Sequence, residues 1–296
     1  MGTKVRTVEQ RIAALATHAW GTVATRELLS AGVSARQIRR RLEKGLLIPV
    51  FRGVYRVGHV APCYEATYMA AVKACGEGAV LMGRAAAYHQ GILRCSEVPP
   101  PEVLSPREHD IEGVTTVRSR RIHPLDRAVH RGIPVTPVPR TLVDLAAVLD
   151  EAELARAFHE AHVRYRITPL QVQAVLDRRG RVSGSRKLTR VTTGEAPALL
   201  SELERGFFEA LDGAGLRRPD ANVRVGSKYV DCRWEDPPLT VELDSYRFHN
   251  TRHAWEQDHR RRREARARGD EFRRYTWSDV FDDRPAMLAE LRDLLG

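Results

Sequence analysis

The chain has 296 residues, 43% of them hydrophobic and 29% charged, with a formal net charge of +10. That length predicts two or three domains, and no apolar run nears the ~20 residues that cross a membrane as a helix. The N-terminus lacks the charged and apolar segments of a secretory signal, so the expectation is a cytoplasmic protein.

Four cysteines, Cys63, Cys75, Cys95 and Cys232, are widely spread and form no C-x-x-C pair. Free buried thiols are expected, not a disulfide framework or a zinc knuckle. The positive charge is concentrated: residues 1–59 carry 11 Lys+Arg against Glu9, Glu27 and Glu43, a balance of +8. A short segment with that excess is the footprint of a polyanion-binding module. A membrane surface would call for Trp/Phe/Leu stripes opposite the basic face, and the segment has none.

In chain order, residues 1–59 predict three short helices and a β-ribbon, a winged helix-turn-helix. The first helix, about 8–19, puts Ile12, Leu15 and Ala16 on one face. The second follows a Thr25 cap and ends near Gly32. The third starts at Ser34, where Gln37 completes a capping box, and stops before Gly45. Two apolar runs hinged on Arg52-Gly53 predict the hairpin. Residues 60–195 predict an α+β middle domain, with helices at 65–75, 82–91, 141–149, 151–162 and 169–178 and Pro-rich extended segments between. The Arg/Ser/Thr/Gly-rich stretch 180–194 is expected to be a linker. Residues 196–296 predict helix 199–211, strands 222–225, 229–234 and 239–243, helix 251–268, strand 272–277 and helix 285–295. The fold class expected is thus α+β multidomain, with parts at 1–59, 60–195 and 196–296.

In a helix-turn-helix the second helix of the pair lies in the major groove, flanked by phosphate contacts. Ile38 and Leu42, four apart, mark the buried face of the third helix, so Arg36, Gln37, Arg40 and Lys44 point away from it. Arg pairs with guanine and Gln with adenine, which nominates Arg36, Gln37 and Arg40 for base edges. Arg39, Arg41 and the wing's Arg52 are nominated for phosphates.

The segment resembles the N-terminal domain of AbiEi-type abortive-infection antitoxins in Gly21-Thr22-Val23-Ala24-Thr25-Arg26-Glu27-Leu28, Gly45-Leu46-Leu47 and Arg52-Gly53-Val54-Tyr55. Gly132-Ile133-Pro134-Val135-Thr136 with Arg140-Thr141-Leu142-Val143-Asp144-Leu145 is similar to the motif that follows in that family. The resemblance covers roughly the first half of the chain. It implies autoregulation of an operon and neutralisation of a nucleotidyltransferase toxin.

Near the C-terminus, strand alternation puts Tyr229, Asp231 and Arg233 on one face and Thr240, Glu242 and Asp244 on one face of the next strand. A turn at Glu235-Asp236-Pro237-Pro238 pairs the two strands, bringing Asp231 close to Glu242 and Asp244. Converging carboxylates raise one another's pKa, and a hard divalent cation relieves the repulsion, so Mg²⁺ or Mn²⁺ is the expected metal. Glu204 on the preceding helix reaches the same spot. His249 is a candidate general base or leaving-group partner. Asp258 and the run beginning Arg260-Arg261 follow on the next helix, where arginines grip a phosphate backbone.

The order αβββαβ resembles the PD-(D/E)xK, or restriction-endonuclease-like, core. The pattern is similar to that of a branch resembling the very-short-patch-repair (Vsr) endonucleases. It reads Ser201-x-x-Glu204, Val230-Asp231, Val241-Glu242-Leu243-Asp244-Ser245-x-x-x-His249, Asp258-x-x-Arg261 and Gly269. The resemblance implies metal-dependent DNA cleavage by Asp231, Glu242, Asp244, His249 and Glu204. There are departures: Asp244 stands where most such sites have lysine, Ser245 where the branch has glycine, and Ala265 where leucine is typical. The alternative is a non-catalytic antitoxin-like autorepressor with a degenerate nuclease fold.

Overall fold

Local capping starts the chain's first elements. In a computed structural model that describes residues 7–58, 63–120, 122–180, 182–193, 197–225, 228–244 and 252–296, Thr7 Oγ1 accepts from Gln10 N at 3.3 Å. Gln10 Oε1 accepts from Thr7 N at 2.9 Å. This box opens α1 (Val8–Thr17). The helix ends two residues before the expected point because Trp20 and Gly21 take left-handed φ of 52° and 73°. A short strand β1 (Thr22–Ala24) leads into α2 (Thr25–Ser30). Its cap is not Thr25 as expected: Ala24 N donates to Glu27 Oε2 at 2.8 Å, while Thr25 Oγ1 turns to the carbonyl of Gly53. Helix α3 (Ala35–Glu43) opens on the Ser34/Gln37 box.

Strands β2 (Leu47–Phe51) and β3 (Val54–Val57) form the expected hairpin, with Gly53 in the left-handed region its turn requires. Strand β1 joins them antiparallel in the order β1-β3-β2. Ile12, Ala16, Val23, Leu28, Val33, Ile38 and Leu47 close the core beneath. This helical and three-stranded region fits a winged helix.

Next come α4 (Tyr64–Cys75), β4 (Val80–Leu81), α5 (Gly83–His89), β5 (Glu102–Ser105), β6 (Thr115–Arg118), β7 (Ala128–His130) and β8 (Ile133–Val135). The strands form a mixed sheet ordered β6-β5-β4-β8-β7. Helices α6 (Val138–Leu145), α7 (Glu151–Tyr165), α8 (Pro169–Arg179) and α9 (Ser185–Thr193) follow. Helix α9 occupies the stretch expected to be a linker; Leu188 and Val191, three apart, bury its one apolar face within a polar composition. The chain divides into two compact units. One comprises Met1–Leu149, Arg156–Ile167 and Gln171–Ser183; the other comprises Asp150–Ala155, Thr168–Leu170 and Gly184–Gly296.

In the first unit, α4 packs on all three wing strands, with Ala70 against Ala24 and Val54. Lys73, buried on α4, donates to Thr22 O at 3.0 Å and pairs with Glu27 Oε2 at 2.6 Å. The carboxylate that caps α2 thus also anchors a buried ammonium.

The second unit runs α10 (Pro197–Gly213), β9 (Asp220–Val225), β10 (Lys228–Trp234), β11 (Leu239–Asp244), α11 (Arg252–Ala267), β12 (Glu271–Thr276), α12 (Trp277–Phe281) and α13 (Arg284–Leu295). Its sheet is ordered β12-β11-β10-β9. The first three strands in sequence pair antiparallel, whereas β11 and β12 are parallel and need the crossover that α11 supplies. Cys232, Trp234, Leu239, Val241 and Leu243 are buried in the sheet, and Phe207 of α10 meets the ring of Tyr275. Gly206 lets α10 approach α12, because a Cβ there would lie 2.3 Å from the ring of Phe281. Among the described residues, no helix is long and apolar enough to cross a membrane.

Replacing Lys73 by Met removes the cation but keeps its length. The expected cost is about 2 kcal/mol, less than the roughly 3–5 kcal/mol of a fully buried pair because Glu27 is partly exposed. The guanidinium midpoint of the first unit's transition measures it.

Candidate nucleic-acid interface and carboxylate site

Helix α3 stands on Ile38, which points into the core, so the opposite side faces solvent. Arg36, Arg39, Arg40, Lys44 and the wing's Arg52 are all exposed. Arg39 leans on Glu43 at 3.2 Å, a solvent-screened pair that exchanges readily for a phosphate. Two of the expected contact residues are engaged within the fold. Gln37 uses Oε1 in the cap of its own helix, leaving Nε2 for other partners. Arg41 turns inward, pairing with Glu9 of α1 and donating to Gln37 O at 2.9 Å.

In the second unit, a buried carboxylate fixes the strands that carry the acidic residues. Arg233 on β10 and Thr240 on β11 are cross-strand partners. Both bind Asp270, just ahead of β12: Arg233 at 3.1 and 3.2 Å, Thr240 Oγ1 at 2.8 Å. Burial works to raise the Asp270 pKa, but these donors and the charges of Arg233 and Arg268 hold it below the ordinary value. Two residues along each strand, on the same face, stand Asp231 and Glu242.

Asp231 Oδ2 accepts from Leu243 N at 2.8 Å, which fixes the carboxylate across the strand pair. Glu242 is 7% exposed and pairs with Arg261 of α11. Burial first, and the charge of Asp231 second, raise the pKa of Glu204 on α10. The thiol of Cys232 is pushed up by burial and by the charges of Asp231, Glu204 and Glu242 together. The charges of Glu204, Asp231 and Glu242 thus all bear on the Cys232 thiol. Among the described residues no three His, Cys, Asp or Glu side chains stand as a metal-binding group. Asp244 ends β11, but its side chain, like that of Asp258 on α11, lies outside the described residues, as does the whole of His249.

A cleft of about 280 Å³ opens beside Glu242, bounded by Tyr229, Thr240, Arg261, Glu264 and Arg268. Arg261 of α11 and Arg268 just after it line this cleft, and Arg260, Arg262, Arg263 and Arg266 are also exposed on α11. Arg260 pairs with Glu264 at 3.0 Å. The sequence reading missed Tyr229 as a site residue, although it lies two positions before Asp231 on the same face, and missed Asp270 altogether.

Residues 10–58 match the family model described as transcriptional regulator, AbiEi antitoxin. The matched span runs from α1 through the β2–β3 hairpin. The chain is similar to the crystal structure of the RV2827C protein from Mycobacterium tuberculosis at 18% identity. That similarity covers 67% of this chain and 82% of the other, with a TM-score of 0.39. No curated protein sequence matches the chain.

Because the Glu204 pKa is raised in the fold, the protonated form is the stabilising one. That contribution is present at low pH and is lost as pH rises through the folded-state pKa. Glu204→Gln mimics the protonated form, so it should raise Tm at pH 7.5 and change it little at pH 4. Thermal unfolding at the two pH values measures the difference.

Proposed function

We propose that the chain is a DNA-binding protein of AbiEi antitoxin type whose C-terminal part, residues 196–296, is a Vsr-like PD-(D/E)xK domain that nicks or cleaves DNA with Mg²⁺ or Mn²⁺. DNA contact is supported by the exposed cations Arg36, Arg39, Arg40, Lys44 and Arg52 on α3 and the wing, and by the family match over the same residues. In this reading residues 1–59 bring the protein to DNA and residues 60–195 bear on a toxin partner of nucleotidyltransferase type. The protein works in the cytoplasm.

The observation that carries the nuclease half is the placement of Asp231 and Glu242 on one face of two paired strands, beside a helix with exposed arginines and with Glu204 feeling the charge of Asp231. The order α10-β9-β10-β11-α11-β12, with its parallel β11–β12 pair, adds support for a restriction-endonuclease-like core. The donors are carboxylate oxygens, and a hard divalent cation would offset both the burial that mainly lifts Glu204 and the charge of Asp231 that adds to it. Burial keeps the Cys232 thiol protonated and so removes a soft ligand from the set. Asp231 and Glu242, with Asp244, would hold the ion, Glu204 directly or through water. When bound, Mg²⁺ supplies an activated water and charge stabilisation for the scissile phosphate. Arg261 would exchange the Glu242 carboxylate for a phosphate oxygen, and Arg260 would grip the backbone beside it. His249 would take the proton of the attacking water or steady the leaving group.

One observation favours the alternative, a non-catalytic autorepressor: the Glu242–Arg261 pair satisfies that carboxylate without any metal. Plasmid nicking separates the readings. Purified protein with Mg²⁺ or Mn²⁺ should convert supercoiled plasmid to nicked or linear form, and Asp231→Ala or Glu242→Ala should abolish the activity. Unchanged cleavage in both variants removes these residues from the chemistry. In either reading, the double variant Arg36→Ala/Arg40→Ala should lose binding to the upstream region of its own gene at equal salt. Wild-type affinity in the double variant would exclude α3 as the groove helix.

A further inference from the structure

The cleft beside Glu242 has a composition that phosphate binding alone does not require. Val225, Val230 and Phe272 give it an apolar floor, and Ala267 adds to the α11 wall next to Arg261 and Arg268. On its rim Tyr229 is 62% exposed, a large aromatic ring left in water on the strand that carries Asp231. An apolar slot with an aromatic face on one side and guanidinium groups on the other matches a nucleobase and its attached phosphate. Every base has a π face that stacks on an aromatic ring, whereas the arginines meet the backbone. A base inside a duplex has both faces covered by its neighbours, so only an unpaired or extruded nucleotide can enter.

We propose that this cleft binds an unpaired nucleotide, its base stacked on Tyr229 and its phosphate held by Arg261 and Arg268. The occupant is single-stranded nucleic acid. The proposal deepens the nuclease reading of the same cleft by naming its substrate class; the binding it describes does not need turnover. Charge complementarity supports it, because Arg261 and Arg268 line the cleft and Arg260, Arg262, Arg263 and Arg266 are exposed on α11. The Thr240 hydroxyl is already bonded to Asp270. Stacking on Tyr229 and charge at Arg261 and Arg268 carry most of the binding, so the preference among bases is expected to be modest.

The test uses the full-length protein in EDTA, where no metal-dependent cleavage occurs, and a single-stranded oligonucleotide carrying a central 2-aminopurine. Wild type should bind it and change the 2-aminopurine fluorescence as the base stacks. Tyr229→Ala, which alters no charge, should bind about tenfold more weakly and lose the fluorescence change, and Tyr229→Phe should behave as wild type. Affinity for the fully paired duplex should be the same in all three proteins. The proposal is overturned if Tyr229→Ala matches wild type on the single strand, or if it weakens single strand and duplex equally. The nuclease reading is tested separately by adding Mg²⁺ to wild type. Absence of cleavage together with an intact Tyr229 contrast would sink that reading and leave the binding site. Cleavage with no Tyr229 contrast would do the reverse.

Discussion

Asp270 is the fixed point from which the second unit's chemistry is laid out. A carboxylate buried to 5% exposure is costly unless every oxygen is used, and here one strand supplies a guanidinium and the next a hydroxyl. Those two partners sit opposite each other in the β10–β11 ladder. Binding both to one residue at the entry to β12 ties three strands at a single level. Because side chains repeat every two residues, that tie also determines which side chains share a face farther along. Asp231 and Glu242 come together as a consequence of a bond made one pleat away.

Holding three acidic groups close in a half-buried place calls for compensation, and each group finds a different one. Asp231 takes a backbone N–H, Glu242 takes a guanidinium, and Glu204 is held toward its neutral form. Such a distribution keeps the fold stable in the absence of a cation and leaves each carboxylate able to change partners. The described arginines of α11 are the complementary reserve: Arg260 and Arg261 are engaged by acids of the same unit, yet they, Arg262, Arg263 and Arg266 are exposed.

Features built from neighbouring residues were legible in the sequence. Ser34 and Gln37 announce α3 across three positions, and the alternating runs of the second unit locate its strands within a residue or two. Short elements hid: β1 has three residues, too few to show alternation, and α9 buries one face beneath a polar composition. The α2 cap was assigned to Thr25 because hydroxyls are common caps, whereas tertiary structure gives that task to Glu27. What sequence reasoning missed outright depends on partners far along the chain. Lys73 meets Glu27 at a separation of 46 residues, Arg41 meets Glu9 at 32, and Asp270 meets Arg233 at 37. Of the candidate site, the strand alternation that puts Asp231 and Glu242 on adjacent strands was legible, because it depends on neighbouring residues alone. Tyr229 was seen only as a strand residue, since exposure of an aromatic ring is invisible in a sequence.

Lys73 bears on how this architecture can be rearranged. Its amine belongs to α4, yet its acceptors are the first wing strand and the capping carboxylate of α2. Ala24 and Val54, which look like ordinary core residues of the winged helix, are covered by Ala70 of the same helix. The reading head is therefore not an interchangeable part. Transplanted onto another protein without α4, it would carry a bare apolar seam and an acid without its cation. Recombination that preserves the head must cut after Cys75, and any domain shuffled in behind it inherits α4 as a permanent fixture.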